Sequence, residues 1–373
     1  MICGGQPKLG STEHLSRVFG RAIVERVPVC GGLDLTYRCN FRCRHCYVGH
    51  LTGQRRSEAA ELTTAQILDL LEQAAGAGCL LLLLSGGEPL LRHDFPDIYV
   101  AAKRLGMIVT VFTNGSLIDE RHLDLFEHYP PHDVEVSVYG ASEPTYARVT
   151  GVPGAYSRVG QALDGLLDRG IPVSIKSMIL RDNAHEITAL RDLAGALGVD
   201  FRVDPLVVPR LDGDPAPLEQ RVDPQRAVEI ELQLDHYRES LETFCQKHLV
   251  HPEEDALPAD RLYRCGAGVA SFHMDARGLL HPCLMSPIAY NTQTMGLTKA
   301  WEAVTTAVDE STWEGVGGCA ECSKMLLCGY CPGLFALEQA SPAHPPAYVC
   351  ALGASRCEAL AHELPGVVCV NSK

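Results

Sequence analysis

Between Leu33 and Val207 the chain alternates short apolar runs with segments of helical spacing, and this alternation restricts the fold more than any other feature. The strand-like runs are Leu33–Tyr37, Leu80–Ser85, Ile108–Phe112, Val134–Tyr139, Val173–Ile179 and Phe201–Val207. Helical spacing occupies Thr63–Gly76, Asp94–Leu105, Asp119–Glu127, Tyr156–Arg169 and Glu186–Leu197. Runs such as LLLLLS, MIVTVF and PVSIKSMIL read as parallel strands covered on both faces rather than as a half-exposed sheet. An α/β fold of six strand-helix units follows, either a barrel or an open doubly wound sheet. Both architectures place chemistry at the C-terminal ends of the strands.

The loop just beyond the first strand, in LDLTYRCNFRCRHCYV, carries Cys39, Cys43 and Cys46 at C-x3-C-x2-C. Structural zinc takes four ligands and iron-sulfur clusters are normally held by four thiolates, so three local thiolates leave one position for something else. A cluster with an iron open to substrate or cofactor fits this arithmetic. A zinc knuckle, or three unrelated thiols, is the competing reading.

Composition narrows the partners. A net charge of −14 lacks the dense positive surface that phosphate binding needs, so nucleic acid is not expected as the main partner. No apolar run approaches the ~18 residues of a membrane span, and the N-terminus lacks a basic region followed by a signal-peptide core. The expected location is cytoplasmic. Sixteen cysteines in a cytosolic chain point to metal rather than to a disulfide framework.

The second strand ends in Ser85-Gly86-Gly87-Glu88-Pro89. Two glycines let the backbone approach a ligand closely, and a carboxylate after them can accept hydrogen bonds from a charged amine. Taken alone, GGEP is equally well a turn. Together the cysteine loop, with the aromatic-type His45 before its last thiol, and this strand-end motif resemble the radical S-adenosylmethionine (radical SAM) superfamily. The resemblance implies a partial (β/α)6 TIM barrel, a 4Fe-4S cluster on Cys39, Cys43 and Cys46, and SAM bound to the open iron. It further implies that Gly86, Gly87, Glu88 and Pro89 bind the SAM amine, and that Asn114 of Thr113-Asn114-Gly115 and Ser137 on the fourth strand also meet SAM. Lys176 on the fifth strand would reach the SAM carboxylate, or else pair with Glu135. Arg202 and Asp204 on the sixth strand would touch substrate, or else pair within the wall.

The domain reading is an N-terminal lead over 1–32, a barrel over 33–208, a linker and bridging helix over 209–260, and a cysteine-rich α+β domain over 261–373. The bridging helix is expected at Asp223–His248, and a short helix is expected near Glu13–Val24. Cys265 and Cys283 flank SFHMDARGLLHP, which reads as a hairpin turning at Ala276-Arg277-Gly278. Cys319, Cys322, Cys328 and Cys331 then follow at C-x2-C-x5-C-x2-C, and Cys350 comes after them.

This order resembles the SPASM extension, which holds one or two auxiliary 4Fe-4S clusters. A zinc ribbon is the alternative. The resemblance assigns Cys319, Cys322, Cys328 and Cys350 to an outer cluster and Cys265, Cys283 and Cys331 to an inner one. The family usually has three residues where two separate Cys328 from Cys331, which leaves the allocation of Cys331 open. The inner set lacks a fourth ligand; Cys245, Asp260 or an open iron would complete it. The remaining cysteines, Cys3, Cys30, Cys79, Cys357 and Cys369, read as buried hydrophobes.

SPASM-bearing relatives mostly modify ribosomally made peptides, so the expected function is oxidative peptide modification, with a crosslink as product. The alternatives are a cyclitol or sugar dehydrogenase, and a non-catalytic iron-sulfur or zinc protein. An external donor of flavodoxin or ferredoxin type would supply electrons. About 32 residues precede the first strand, too few for a leader-binding domain, so either a separate recognition protein is expected as partner or the substrate is not a leader peptide.

Overall fold

The computed structural model describes residues 12–49, 61–234, 237–239, 241, 261–313 and 318–363. Helix α1 (Thr12–Glu25) leads into a sheet whose strands β1 to β6 are Cys30–Asp34, Leu81–Ser85, Ile108–Thr113, Asp133–Ser137, Val173–Met178 and Asp200–Asp204. All neighbours among these six pair in parallel and in sequence order. The helices α2 to α7 are Thr64–Gly76, Phe95–Arg104, Glu120–His128, Glu143–Thr150, Ala155–Asp168 and Ile187–Leu197. This is the expected α/β architecture with a cysteine-rich C-terminal region.

Along β2, β3 and β4 every second side chain is buried against the helices: Leu82, Leu84, Val109, Val111, Val134 and Val136. The alternate side chains are half-buried, because the other face lines an incompletely filled interior. Continuous apolar runs therefore serve two unequal surfaces here. Helix α2 starts at a capping box in which the Thr63 hydroxyl accepts from Gln66 N–H and the Gln66 side chain returns a bond to Thr63 N–H.

Strand β1 starts at Cys30, three residues before the expected Leu33, and includes Gly31 and Gly32. A Cβ on Gly31 would stand 2.6 Å from the Phe272 ring, and one on Gly32 would stand 2.8 Å from His273. Glycine in a strand interior lowers its propensity but permits such an approach. The approaching element is β7 (Ser271–Met274), which pairs in parallel with β1, so the sheet reads β6-β5-β4-β3-β2-β1-β7-β8-β9. Strands β8 (Leu279–His281) and β9 (Tyr290–Asn291) continue it antiparallel, and β7 with β8 forms the expected hairpin.

Two readings are corrected. Helix α5 was not anticipated, although Ser142 before Glu143-Pro144 and the left-handed Gly151 (φ 70°) are ordinary start and stop signals. The bridging helix, α8 (Pro224–Leu232), ends well short of the expected His248, and Leu234 just beyond it is fully buried. Most of the stretch beyond it, with Cys245 and Asp260, lies outside the described residues. The C-terminal part is fastened to α8 and to the turn before it by largely buried ion pairs, Arg356 with Glu231 at 2.7 Å and Arg221 with Glu338.

Candidate active site

Cys39, Cys43 and Cys46 converge on a cavity of about 200 Å³ at the C-terminal ends of the strands. Its opposite wall is formed by Gly86, Gly87, Asn114, Ser137 and Lys176, and Phe41, Phe112, Tyr139, Met178 and Val207 supply apolar lining. The cysteine loop has no regular structure of its own and is held by its neighbours. Arg42 N–H donates to Thr150 O at 2.9 Å and Arg44 N–H to Val149 O at 3.2 Å, both on the unanticipated α5. From β3, the Asn114 side-chain amide donates to Asn40 Oδ1 at 2.8 Å, and Asn40 donates to Ser116 Oγ at 2.9 Å. Asn114 is thus both cavity wall and fastener of the loop.

The three thiols are electrostatically costly as thiolates. Burial pushes Cys39 up to about 12 despite the Phe41 N–H. Cys43 is raised by burial and then by Cys46 and Cys39, and Cys46 is raised by burial against the pull of Val48 N–H and the Arg210 guanidinium. Deprotonated together they require a cationic group at the point where they meet, which is what iron supplies. Three thiols that act on one another at one cavity fit the ligands of a cluster, which binds one thiolate to each of several irons.

The Gly86-Gly87 pair owes its lack of side chains to the chain itself. A Cβ on Gly86 would lie 2.3 Å from Thr36 O and one on Gly87 2.2 Å from Arg38 O. Gly87 N–H and Glu88 N–H donate to these carbonyls at 2.7 and 2.8 Å, which locks the strand end to the start of the cysteine loop. Pro89 opens a short 3-10 turn capped by Glu88 and is buried away from the cavity.

Glu88 is wholly buried and does not line the cavity. Its carboxylate accepts from Thr113 Oγ1 at 2.8 Å, Asn114 N–H at 2.7 Å and Leu90 N–H at 3.1 Å. Burial pushes its carboxyl up to about 7, against these three donors. An unfolded carboxyl titrates near about 4.3. Below that pH both states are protonated, and as pH rises to about 7 the unfolded chain ionises first, which costs the fold up to ~3 kcal/mol. Glu88→Ala leaves the donors unpaired and is expected to destabilise by about 2–4 kcal/mol near pH 5.5, and by clearly less near pH 7.5, in urea unfolding. Equal destabilisation at the two pH values would refute this account.

Lys176 Nζ stands 4.3 Å from the Phe112 ring centre, and Glu135 pairs with Arg202 at 2.7 Å instead. Burial first, and then Arg202, lowers the lysine's affinity for its proton. Arg202 and Asp204 are exposed along β6 and do not line the cavity.

The C-terminal cysteines fall into two sets. Cys283 is pushed up to about 11 by burial and then by Cys331, with Cys265 adding to it. Cys319 is pushed up to about 12 by burial and then by Cys328, Cys350 and Cys322. Cys328 and Cys331 therefore belong to different sets although only Gly329 and Tyr330 separate them. Gly353 lets the last helix, Ala347–Glu363, press on the outer set, since a Cβ there would stand 2.6 Å from Cys328 Cβ. Sequence reading missed Arg210 beside Cys46; its only signal is its place just after the last barrel strand.

Residues 33–194 match the family model of the radical SAM superfamily. The PqqA peptide cyclase of Gluconobacter oxydans (strain 621H) is 33% identical over 165 residues, which make up 44% of this chain and 45% of that protein. The AdoMet-dependent heme synthase of Methanosarcina barkeri (strain Fusaro / DSM 804) is 32% identical over 167 residues, 44% of this chain and 46% of that protein. The chain thus spans less than half the length of these curated relatives. Among solved structures, Streptococcus suis SuiB bound to precursor peptide SuiA superposes with a TM-score of 0.65 at 16% identity, covering 90% of this chain and 80% of that one. At that identity the likeness is one of fold, and it extends through the C-terminal region. Among the described residues no helix is long and apolar enough to cross a membrane.

Proposed function

We propose that this protein is a radical SAM enzyme that oxidatively modifies a ribosomally made peptide, forming a crosslink such as a thioether or carbon-carbon bond. The observation carrying this reading is the convergence of Cys39, Cys43 and Cys46 on a cavity walled by the ends of β2 to β5. Cys39, Cys43 and Cys46 would hold a 4Fe-4S cluster there, which would supply the electron for reductive cleavage of SAM.

The chain's own residues position and shield. Asn114 and Ser137 offer polar atoms to SAM, and Lys176, whose neighbour Glu135 makes its direct ion pair with Arg202, offers the SAM carboxylate a cation. Glu88 serves the site by holding Asn114 in place. Phe41, Tyr139, Met178 and Val207 keep water from the reacting carbon. For a thioether, the substrate carbon gives a hydrogen atom to the radical, the thiol gives up a proton, and one electron leaves. The two C-terminal cysteine sets would hold one or two auxiliary 4Fe-4S clusters as the electron's exit, in the manner of a SPASM domain. A flavodoxin or ferredoxin type donor and a separate leader-recognition protein are the partners this reading requires.

Support for a peptide substrate comes from the relative named PqqA peptide cyclase and the SuiB structure with its precursor peptide. The heme synthase relative, at nearly the same identity, favours a small-molecule substrate as the second reading. The test is anaerobic reconstitution with SAM and dithionite, assayed for 5′-deoxyadenosine, followed by mass spectrometry of short peptides encoded beside the gene. Loss of two hydrogens from a peptide is expected. Absence of deoxyadenosine from fully iron-loaded protein defeats the reading; deoxyadenosine with turnover only of a porphyrin or a sugar defeats its peptide part.

A further inference from the structure

Arg210 lies in the loop that leaves β6 and folds back over the cysteine loop. Leu211 N–H donates to Tyr47 O at 2.9 Å, Arg210 N–H to Asp214 O at 3.0 Å, and Gly213 N–H to Arg210 O at 2.8 Å. The turn is therefore closed on itself and fastened beside Cys46. One end of the guanidinium is fixed as well, since Nη1 donates to Asp214 Oδ2 at 2.5 Å. The Nε–H is different: it is buried and has no hydrogen-bond partner.

Its neighbour can be located through Gly49. A Cβ built on that glycine would stand 3.6 Å from Arg210 Nε, 3.6 Å from Cys46 Cβ and 3.3 Å from Cys46 O. Nε and Cys46 Cβ thus lie within twice 3.6 Å of each other. The carbonyl of Cys46 accepts from Gly49 N–H at 3.4 Å and does not take the Arg210 Nε–H. A buried donor without a partner is costly, and a side chain held in such a pose by an ion pair is shaped for an acceptor that arrives later. Sulfur at the Cys46 corner is the candidate acceptor on this side of the loop, and the guanidinium's field acts on that thiol.

We infer that Arg210 is a positioning residue for the group held by Cys39, Cys43 and Cys46: its Nε–H donates to sulfur at the Cys46 corner and raises that cluster's reduction potential. Hydrogen bonds and positive charge at a ligating sulfur favour the more negative, reduced state. Asp214 offsets the charge, so the donor contact carries most of the effect. The consequence is a cluster that a milder donor can reduce. The inference rests on the cluster reading proposed above.

The test is a redox titration of the reconstituted full chain followed by EPR, comparing wild type with Arg210→Met and Arg210→Lys. At wild-type iron content, Arg210→Met is expected to move the cluster's midpoint to more negative potential. Arg210→Lys, which keeps the charge but loses the Nε–H, is expected to move it the same way by a smaller amount. Midpoints coinciding with wild type overturn the inference alone. If Arg210→Met fails to load iron, Arg210→Lys decides, and an unshifted midpoint there is equally fatal. A wild-type protein without a SAM-sensitive EPR signal overturns both this inference and the cluster reading.

Discussion

Replacing Cys39, Cys43 and Cys46 together by alanine is expected to remove one cluster's worth of iron and to bring SAM cleavage down to background. The three thiols meet at one cavity, and burial and mutual repulsion hold them above the ordinary thiol range. Thiols held this way stay neutral until metal takes the place of their protons. Were they instead small buried hydrophobes, the change would cost about 1 kcal/mol of stability at each site and leave SAM chemistry untouched. Iron analysis together with deoxyadenosine formation separates the two accounts. SAM cleavage persisting in the triple variant would remove the basis of the proposed function.

Cys322→Ser is expected to divide the reaction in two. Cys322 belongs with Cys319, Cys328 and Cys350, apart from the barrel cavity. If the two C-terminal sets hold clusters as proposed, its loss should take the outer cluster's iron and leave the other two loaded. Deoxyadenosine formation without substrate should largely survive, because the radical is made in the barrel, whereas product should fall to background because the last electron has no exit. Clusters also hold their domains together, so the comparison is made in variant protein that remains folded and soluble. Mössbauer spectra and metal analysis of the intact protein supply the control. A single cluster with stoichiometric zinc would make the C-terminal region a structural zinc module, and the electron-exit argument would fall with it.

The order of strands and helices was written locally, in apolar runs such as LLLLLS and in caps such as Thr63 with Gln66, so an α/β sheet with chemistry at its strand ends was legible from the chain alone. So was the cysteine loop, because three thiols that line one cavity lie within eight residues of each other. Tertiary structure decided what depends on contacts remote in sequence. Strand β7 joins the sheet beside β1, and Gly31 and Gly32 make sense only once Phe272 and His273 are against them. Glu88 looked like a ligand-facing carboxylate, but the donors of Thr113 and Asn114 draw it inward, since a buried carboxylate takes whatever hydrogen bonds the fold places around it. Arg202 takes Glu135, leaving Lys176 to the cavity, and Arg210 is brought to Cys46 only by the return of the loop after β6. Local spacing determines which elements form and which thiols can share a site. Which charges pair, and which polar atoms are left facing a ligand, is settled only when distant segments compete for the same partners.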